Sequence, residues 1–111
     1  MICHIVMLNL PADHDSTALQ AIMGGISTLR DKIPGFDGFT HGPNLDFEGL
    51  SPDCSYGFMC RFRDADASQR YLDNAEHGAL GQQLIGMCTG GIDGIRVVDL
   101  DLAAVSGSAV Q

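Results

Sequence analysis

Basic residues are scarce in this sequence. Its 111 residues include 6 Lys and Arg against 14 Asp and Glu, which gives a formal net charge of -8. No cluster of basic residues occurs anywhere along the chain. Because nucleic acid and anionic membranes would both be repelled by such a chain, we expect it to bind neither.

The motifs that hold metals, phosphates and redox centres are also missing. The four cysteines, Cys3, Cys54, Cys60 and Cys88, include no CxxC pair, and the four histidines include no HxH or HxxxH pair. The glycines show neither the GxGxxG nor the Walker spacing. We therefore predict reduced, buried thiols, no metal site and no cofactor.

The two ends of the chain show little sign of anything beyond one domain. The N-terminal stretch MICHIVMLNLPADHD has no basic segment, and its apolar run is too short for a signal peptide or a membrane span. The small residues of AAVSGSAVQ form the other end. We predict a cytoplasmic protein with one domain over residues 1–102 and a loosely ordered tail over residues 103–111.

Charged residues are too few for a typical small monomer. They make up 18% of the chain, whereas hydrophobic residues make up 45%. A chain of this size often gains stability by association, and a partner can cover apolar residues that would otherwise face water. The composition therefore favours a homodimer.

Hydrophobic periodicity predicts the secondary structure. Along residues 2–10, apolar residues occupy both odd and even positions, which is typical of a strand buried on both faces. From Leu19 to Ile33, apolar residues recur at helical spacing. Thr17 and Gln20 have the spacing of a capping box. The later segments are an irregular strand (35–42), a loop (43–53), an alternating strand (54–62), a broken helix pair (63–91) and a last strand (92–102).

This order of elements is β-α-β-β-α-β, the ferredoxin-like α+β pattern. It predicts a four-stranded antiparallel sheet with helices on one face only. The other face is apolar in the first strand and needs cover. We expect the sheet of a second copy to provide it.

The stretch RYLDNAEHGAL contains Tyr71 and His77, six residues apart. A neutral imidazole can take a proton from a carbon acid and return it. On one continuous helix the two side chains would point in different directions, but a break at residues 73–76 allows them to converge. We expect their polar atoms to lie within hydrogen-bond reach of each other, or of one bridging water, beside a cavity shared with His4. The alternative is that His77 only links two helical segments as a partly exposed polar residue.

His4 and Tyr56 are weaker candidates. His4 lies in a strand otherwise made of apolar residues, so it is either a neutral core histidine or a substrate contact. Tyr56 shares a strand face with aromatic residues and either packs there or donates to a pocket. His14 and His41 fall in predicted turns or loops, and we expect both to be solvated.

Four stretches, MICHIVMLNL, IPGFDGFTHGPNL, YGFMCRFRDADASQRYLDNAEH and IRVVDLDL, resemble the stress-responsive A/B barrel (Dabb) family over nearly the whole chain. The resemblance implies a dimeric α+β barrel of two ferredoxin-like chains packed sheet to sheet. The frequent family pattern His-Pro-x-His appears here as NAEH.

The family includes proteins without assigned chemistry and a polyketide cyclase that closes a ring by aldol condensation without a cofactor. The resemblance places Tyr71 and His77 at the positions of that cyclase's catalytic pair and His4 at an active-site histidine. Tyr56 stands where the cyclase has another histidine, and Ile26 stands where it has a tyrosine.

Three functional hypotheses follow. In the first, the protein is a cofactor-independent cyclase, dehydratase or isomerase acting on a carbonyl-rich small molecule. His77 is then the general base, Tyr71 holds His77 or polarises the carbonyl, and His4 and Tyr56 bind the substrate. The second is a non-catalytic stress-responsive dimer, and the third is a cofactor-free monooxygenase-like enzyme. An open cavity that reaches His77 would favour an enzyme.

Overall fold

The computed structural model describes residues 1–103. Its elements are β1 (Ile2–Leu8), α1 (Ser16–Arg30), β2 (Phe36–Pro43), β3 (Tyr56–Phe62), α2 (Ala65–Asp73), α3 (Ala75–Met87), a 3-10 turn (Gly91–Gly94) and β4 (Ile95–Asp101). The predicted ferredoxin-like order is confirmed, with the second helix divided into α2 and α3. The predicted tail over residues 103–111 lies outside the described residues, except for Ala103.

The strands form one antiparallel sheet in the order β2-β3-β1-β4. His4, Val6 and Leu8 of β1 are buried on the side that the helices cover. On the other side, which we call the open face, Cys3 is buried, whereas Ile5 and Met7 are half-buried. In the single chain β1 is therefore more fully buried on the helix-covered side than on the open face.

Helix α1 begins at a different cap from the one predicted. The carboxylate of Asp15 accepts a hydrogen bond from the backbone N–H of Ala18 at 3.0 Å, so the helix starts before Thr17 and Gln20. Asp is a strong N-cap because its oxygen satisfies a backbone donor of the first turn. The predicted apolar stripe packs onto the sheet through Leu19, Ile22, Met23, Ile26 and Leu29.

Asn74 explains the break between α2 and α3. Its backbone is extended, with φ -71° and ψ 129°, and it both ends α2 and begins α3. Its side-chain oxygen accepts a hydrogen bond from the backbone N–H of His77 at 3.0 Å. Asn favours such caps because its short side chain can replace a helical acceptor. The break therefore fixes His77 in the first turn of α3.

Candidate active site

Tyr71 lies at the centre of an aromatic cluster between α2 and the sheet. Its side chain is fully buried. Its ring centroid lies 5.3 Å from that of Phe36, 5.1 Å from Phe62, 5.8 Å from His4 and 4.0 Å from His77. The structure therefore brings together three of the four predicted site residues: His4, Tyr71 and His77.

The Tyr71 hydroxyl keeps its proton at neutral pH. Burial raises its pKa above the ordinary value, and neighbouring Cys60 reinforces the effect. The Cys60 thiol donates a weak hydrogen bond to Tyr71 Oη at 3.9 Å, and burial raises the pKa of this thiol to about 12. Both groups are thus protonated at neutral pH, so Cys60 is no thiolate nucleophile.

His77 is half-buried and packs its ring on that of Tyr71, with an angle of 38° between the planes. Within the described chain, its Nδ1 is buried and has no hydrogen-bond partner. Burial lowers the pKa of His77, His4 lowers it further, and the backbone of Leu72 opposes the shift. The ring is therefore neutral at pH 7, the form that can accept a proton.

No direct hydrogen bond joins the Tyr71 hydroxyl to the His77 ring among the described residues. The two side chains meet by ring packing, and the hydroxyl of Tyr71 instead contacts Cys60. Contact through one bridging water stays a prediction.

His4 is held by a residue that sequence reasoning missed, Asp99. The Nδ1 of buried His4 lies 2.7 Å from Oδ1 of Asp99, whose side chain is 57% exposed. A carboxylate only accepts hydrogen bonds, so Nδ1 of His4 carries the proton of this contact. The only sequence signal was the alternation in DLDL, and it does not show that Asp99 pairs opposite His4 in the sheet.

Tyr56, the fourth predicted residue, is not part of this cluster. It lies four positions before Cys60 on β3, about 13 Å away along the strand. Its hydroxyl is 2.6 Å from His41 Nδ1 and accepts a hydrogen bond from Gln20 Nε2 at 3.2 Å. His41, which was expected to be simply solvated, is exposed but hydrogen-bonded and stacked on Phe39.

Two cavities lie elsewhere on the described chain. One, of about 660 Å³, lies on the open face beneath the loop that follows β2, and Ile5, Met7 and Met59 line it. The other, of about 450 Å³, lies between the start of α1 and the end of α3. It is lined by His14, which is half-buried and bonded to the Pro11 carbonyl rather than solvated as expected.

Neither cavity is lined by His4, Tyr71 or His77. The expected open cavity at His77 is therefore not one of these two. At the β4 edge, Val97 and Asp99 lie on the helix-covered side and yet are exposed.

The cap of α3 provides a first test of how His77 is held. Replacing Asn74 with Ala should lower the free energy of unfolding by about 1 kcal/mol, because the N–H of His77 loses its side-chain acceptor. Urea unfolding followed by circular dichroism measures the change. Asn74→Asp, which keeps an acceptor oxygen, is the matched control and should remain near the parent. Equal losses in both variants would contradict the capping role.

Residues 1–103 contain no group of three or more His, Cys, Asp or Glu side chains placed to hold a metal ion. The four cysteines are free and buried. No helix in this part of the chain is both long and apolar enough to cross a membrane.

Solved structures share this fold. A dimeric ferredoxin-like protein of unknown function from Jannaschia sp. CCS1 is 37% identical, with a TM-score of 0.86, and the match covers 91% of this chain and 98% of that one. Hydroxynitrile lyase from Passiflora edulis is 12% identical, with a TM-score of 0.75, over 92% and 93% of the two chains. SnoaB, a cofactor-independent oxygenase from Streptomyces nogalater, is 14% identical, with a TM-score of 0.71, over 96% and 97%.

The sequence itself was compared with curated proteins and with protein-family models. No curated protein matches it. The model of the stress responsive A/B barrel domain matches residues 2–101, which is nearly the whole chain. The chain therefore belongs to the stress responsive A/B barrel domain family.

Proposed function

We propose that the chain is a homodimeric, cofactor-independent acid–base enzyme, a cyclase, dehydratase or isomerase acting on a carbonyl-rich small molecule. One observation carries the proposal: the buried, unpartnered Nδ1 of His77 in a neutral ring packed on Tyr71. A buried polar atom without a partner is costly to a fold, and each one calls for an explanation such as a catalytic role or a bound water.

In the proposed reaction His77 takes the acidic proton next to a carbonyl group. The electron pair of the C–H bond moves into the carbonyl and forms an enolate, which attacks a second carbonyl, expels a leaving group or is reprotonated at another carbon. His77 returns the proton to the new alkoxide in the cyclisation and to carbon in the isomerisation. In the dehydration it gives the proton to the departing hydroxide, which leaves as water. Tyr71 orients the base, and His4, aligned by Asp99, is the second proton-transfer group. Base catalysis of this kind contributes roughly 10²- to 10⁴-fold.

The charges near the cluster favour an uncharged substrate. Asp73 and Glu76 flank the α2–α3 break, and Asp99 lies beside His4. The nearby cation, Lys32, is 3.3 Å from the carboxylate of Glu76. Together with the net charge of -8, this arrangement repels carboxylates and phosphates.

Proton exchange tests the proposal without knowledge of the natural substrate. The protein should accelerate the exchange of the acidic C–H hydrogens of a 1,3-diketone for deuterium in D₂O, followed by ¹H NMR. His14→Ala removes a histidine outside the cluster and should preserve the rate, whereas His77→Ala should remove the acceleration. The proposal fails if the two variants exchange at equal rates.

A non-catalytic role in a dimeric barrel is the second candidate. It is favoured by the full burial of Tyr71 and by the position of both cavities away from the cluster. In that case His77 and Tyr71 only stabilise the α2–α3 junction, and the protein does not accelerate proton exchange from the diketone. A monooxygenase-like activity is third. It would show as consumption of dissolved oxygen with a phenolic substrate.

The homodimer has its own test. The open face carries half-buried Ile5 and Met7 and exposed Val98 and Leu100, so a second copy would remove a broad apolar surface from water. Light scattering at micromolar concentration should give twice the chain mass of 11.8 kDa. A mass of one chain at every concentration measured would contradict the dimer.

A further inference from the structure

The loop at residues 44–51, which we call the clasp, exposes three large apolar side chains. Leu45 is 67% exposed, Phe47 91% and Leu50 83%. Single exposed apolar residues are ordinary, but three within six positions form a patch that usually marks an interaction surface.

The clasp is held in shape by its own polar residues. The side-chain amide of Asn44 donates to Ser51 Oγ and to the carbonyl of Cys54, each at 2.8 Å. Asp46 adopts a positive φ of 46°, and its carboxylate accepts from the backbone N–H of Ser51 at 2.9 Å. Left-handed backbone is uncommon outside glycine and is tolerated more readily by Asp, whose side chain can bond locally. The network presents the apolar side chains outward in a defined conformation.

A second exposed apolar group lies at the opposite edge of the sheet, on β4. On the open face, Val98 lies opposite Ile5 and is 50% exposed, while Arg96 lies opposite Met7 and is exposed. β4 is an edge strand, and an edge with exposed apolar side chains invites pairing with another chain.

The clasp and the start of β4 lie at the same end of the sheet. Pro43, Tyr56, Leu8 and Ile95 form one row across the four strands, with the clasp after Pro43 and Arg96 after Ile95. If two sheets pack face to face about a two-fold axis parallel to the strands, β2 of each copy faces β4 of the other. The rotation preserves position along the strands, so the clasp of one copy meets the first residues of β4 in the other.

We infer that the clasp of each copy packs over Arg96 to Val98 of a second copy, with Phe47 as the central apolar contact and Glu48 facing Arg96. Glu48 and Arg96 are both exposed and carry opposite charges. The interface is isologous, so each contact occurs twice. The inference rests on the homodimer proposed above and adds which residues hold it together.

The size of the interface supports a second copy as the occupant. Four strands of about seven residues present a flat area of roughly 440 Å². A stable interface buries about 800 Å² on each partner. The sheet face alone falls short of this, and the two clasps add contact area at both edges of the barrel.

The clasp also connects assembly to the candidate site. Side chains along β4 after Ile95 are exposed in the single chain, and β4 carries Asp99, which holds His4. The single chain already forms the Asp99–His4 pair, and a second copy that packs on β4 adds contacts that restrain this strand.

Sedimentation equilibrium tests the apolar contact. Phe47→Ser should raise the dimer dissociation constant at least about 100-fold, because an interface side chain of this size is removed in two symmetric places. Leu72→Ser, which removes an exposed apolar side chain on α2, away from the open face, is the matched control and should leave the constant unchanged. Equal effects of the two variants, or no effect of Phe47→Ser, would overturn the inference.

A charge exchange tests the register. Glu48→Arg and Arg96→Glu should each raise the dissociation constant about tenfold at low salt, and the chain with both substitutions should return to the parent value. Failure of the double variant to recover overturns the pairing. If the parent chain is a monomer, the homodimer itself is refuted. If the parent is a dimer whose dissociation constant does not change in the clasp variants, only the role of the clasp in the interface is refuted, and its apolar side chains serve another partner.

Amide hydrogen exchange tests whether packing of the second copy restrains β4 and, through it, Asp99. In Phe47→Ser, at concentrations where it is monomeric, the amides of β4 should exchange much faster than in the parent dimer, while those of α1 keep their protection. Unchanged protection of β4 would overturn the claim that the second copy restrains β4 and Asp99. This measurement needs no substrate, so its failure is separate from failure of the proposed catalysis.

Discussion

Replacing His77 with Ala is expected to reduce proton exchange from a 1,3-diketone by roughly 10²- to 10⁴-fold, the usual contribution of a positioned general base. The expectation follows from the buried Nδ1 that has no partner in the described chain and from the lowered pKa of the ring. The imidazole is half-buried at the first turn of α3, so its loss should reduce stability by only about 1 kcal/mol. His77→Ala should thus lose most of its proton-exchange rate while it keeps nearly all of its free energy of unfolding.

The pH dependence provides a control that a purely structural role of His77 would not reproduce. The pKa of folded His77 lies below its ordinary 6.5. As the pH is lowered, the rate should therefore stay high past pH 6.5 and fall only when the pH drops through the lowered pKa and the base is protonated. A rate that begins to fall while the pH is still well above 6.5 would contradict the assignment.

Stability should follow the same ionisation in a defined direction. The unfolded chain protonates His77 more readily than the folded one, so the stability present above the unfolded pKa is lost as the pH falls through the folded value. Thermal unfolding at pH 7.5 and pH 5.0 measures this loss. His77→Gln, which does not titrate, should lose less melting temperature between the two conditions than the parent.

The convergence of Tyr71 and His77 was predictable because it depends on local chain chemistry. A capping residue in the middle of a helical pattern interrupts the helix, and Asn74 does so here. The direction in which the imidazole then points depends on one turn of backbone and on the packing of Tyr71. That level of detail is not contained in residue spacing, so the spacing could not show that the two rings pack without a direct hydrogen bond.

The Asp99–His4 pair was not predictable because it depends on strand register. A shift of one residue in β4 would send Asp99 to the other face of the sheet and bring a neighbour opposite His4. The sequence of an alternating strand allows either register. Tyr56 was included because it matches a family site position, but it lies four residues before Cys60 on the same strand, about 13 Å from the cluster.

Replacing Tyr71 with Ala is expected to lower the free energy of unfolding by about 3–5 kcal/mol, the cost of removing a buried aromatic ring and leaving a cavity. The ring is fully buried and contacts Phe36, Phe62, His4 and His77. A domain of this size has about 5–15 kcal/mol in total, so the loss is a large part of its stability. Urea unfolding of the parent and the variant measures it.

Tyr71→Phe separates the ring from its hydroxyl. It keeps the packing against His77 and removes only the oxygen that accepts a hydrogen bond from Cys60, so it should cost at most about 1 kcal/mol. If Tyr71 acts by orienting the base, proton exchange in Tyr71→Phe should remain within about tenfold of the parent, because the ring contact that holds His77 survives. A fall as deep as that of His77→Ala, in a variant of normal stability, would instead make the hydroxyl itself a proton donor to the substrate and contradict the orienting role.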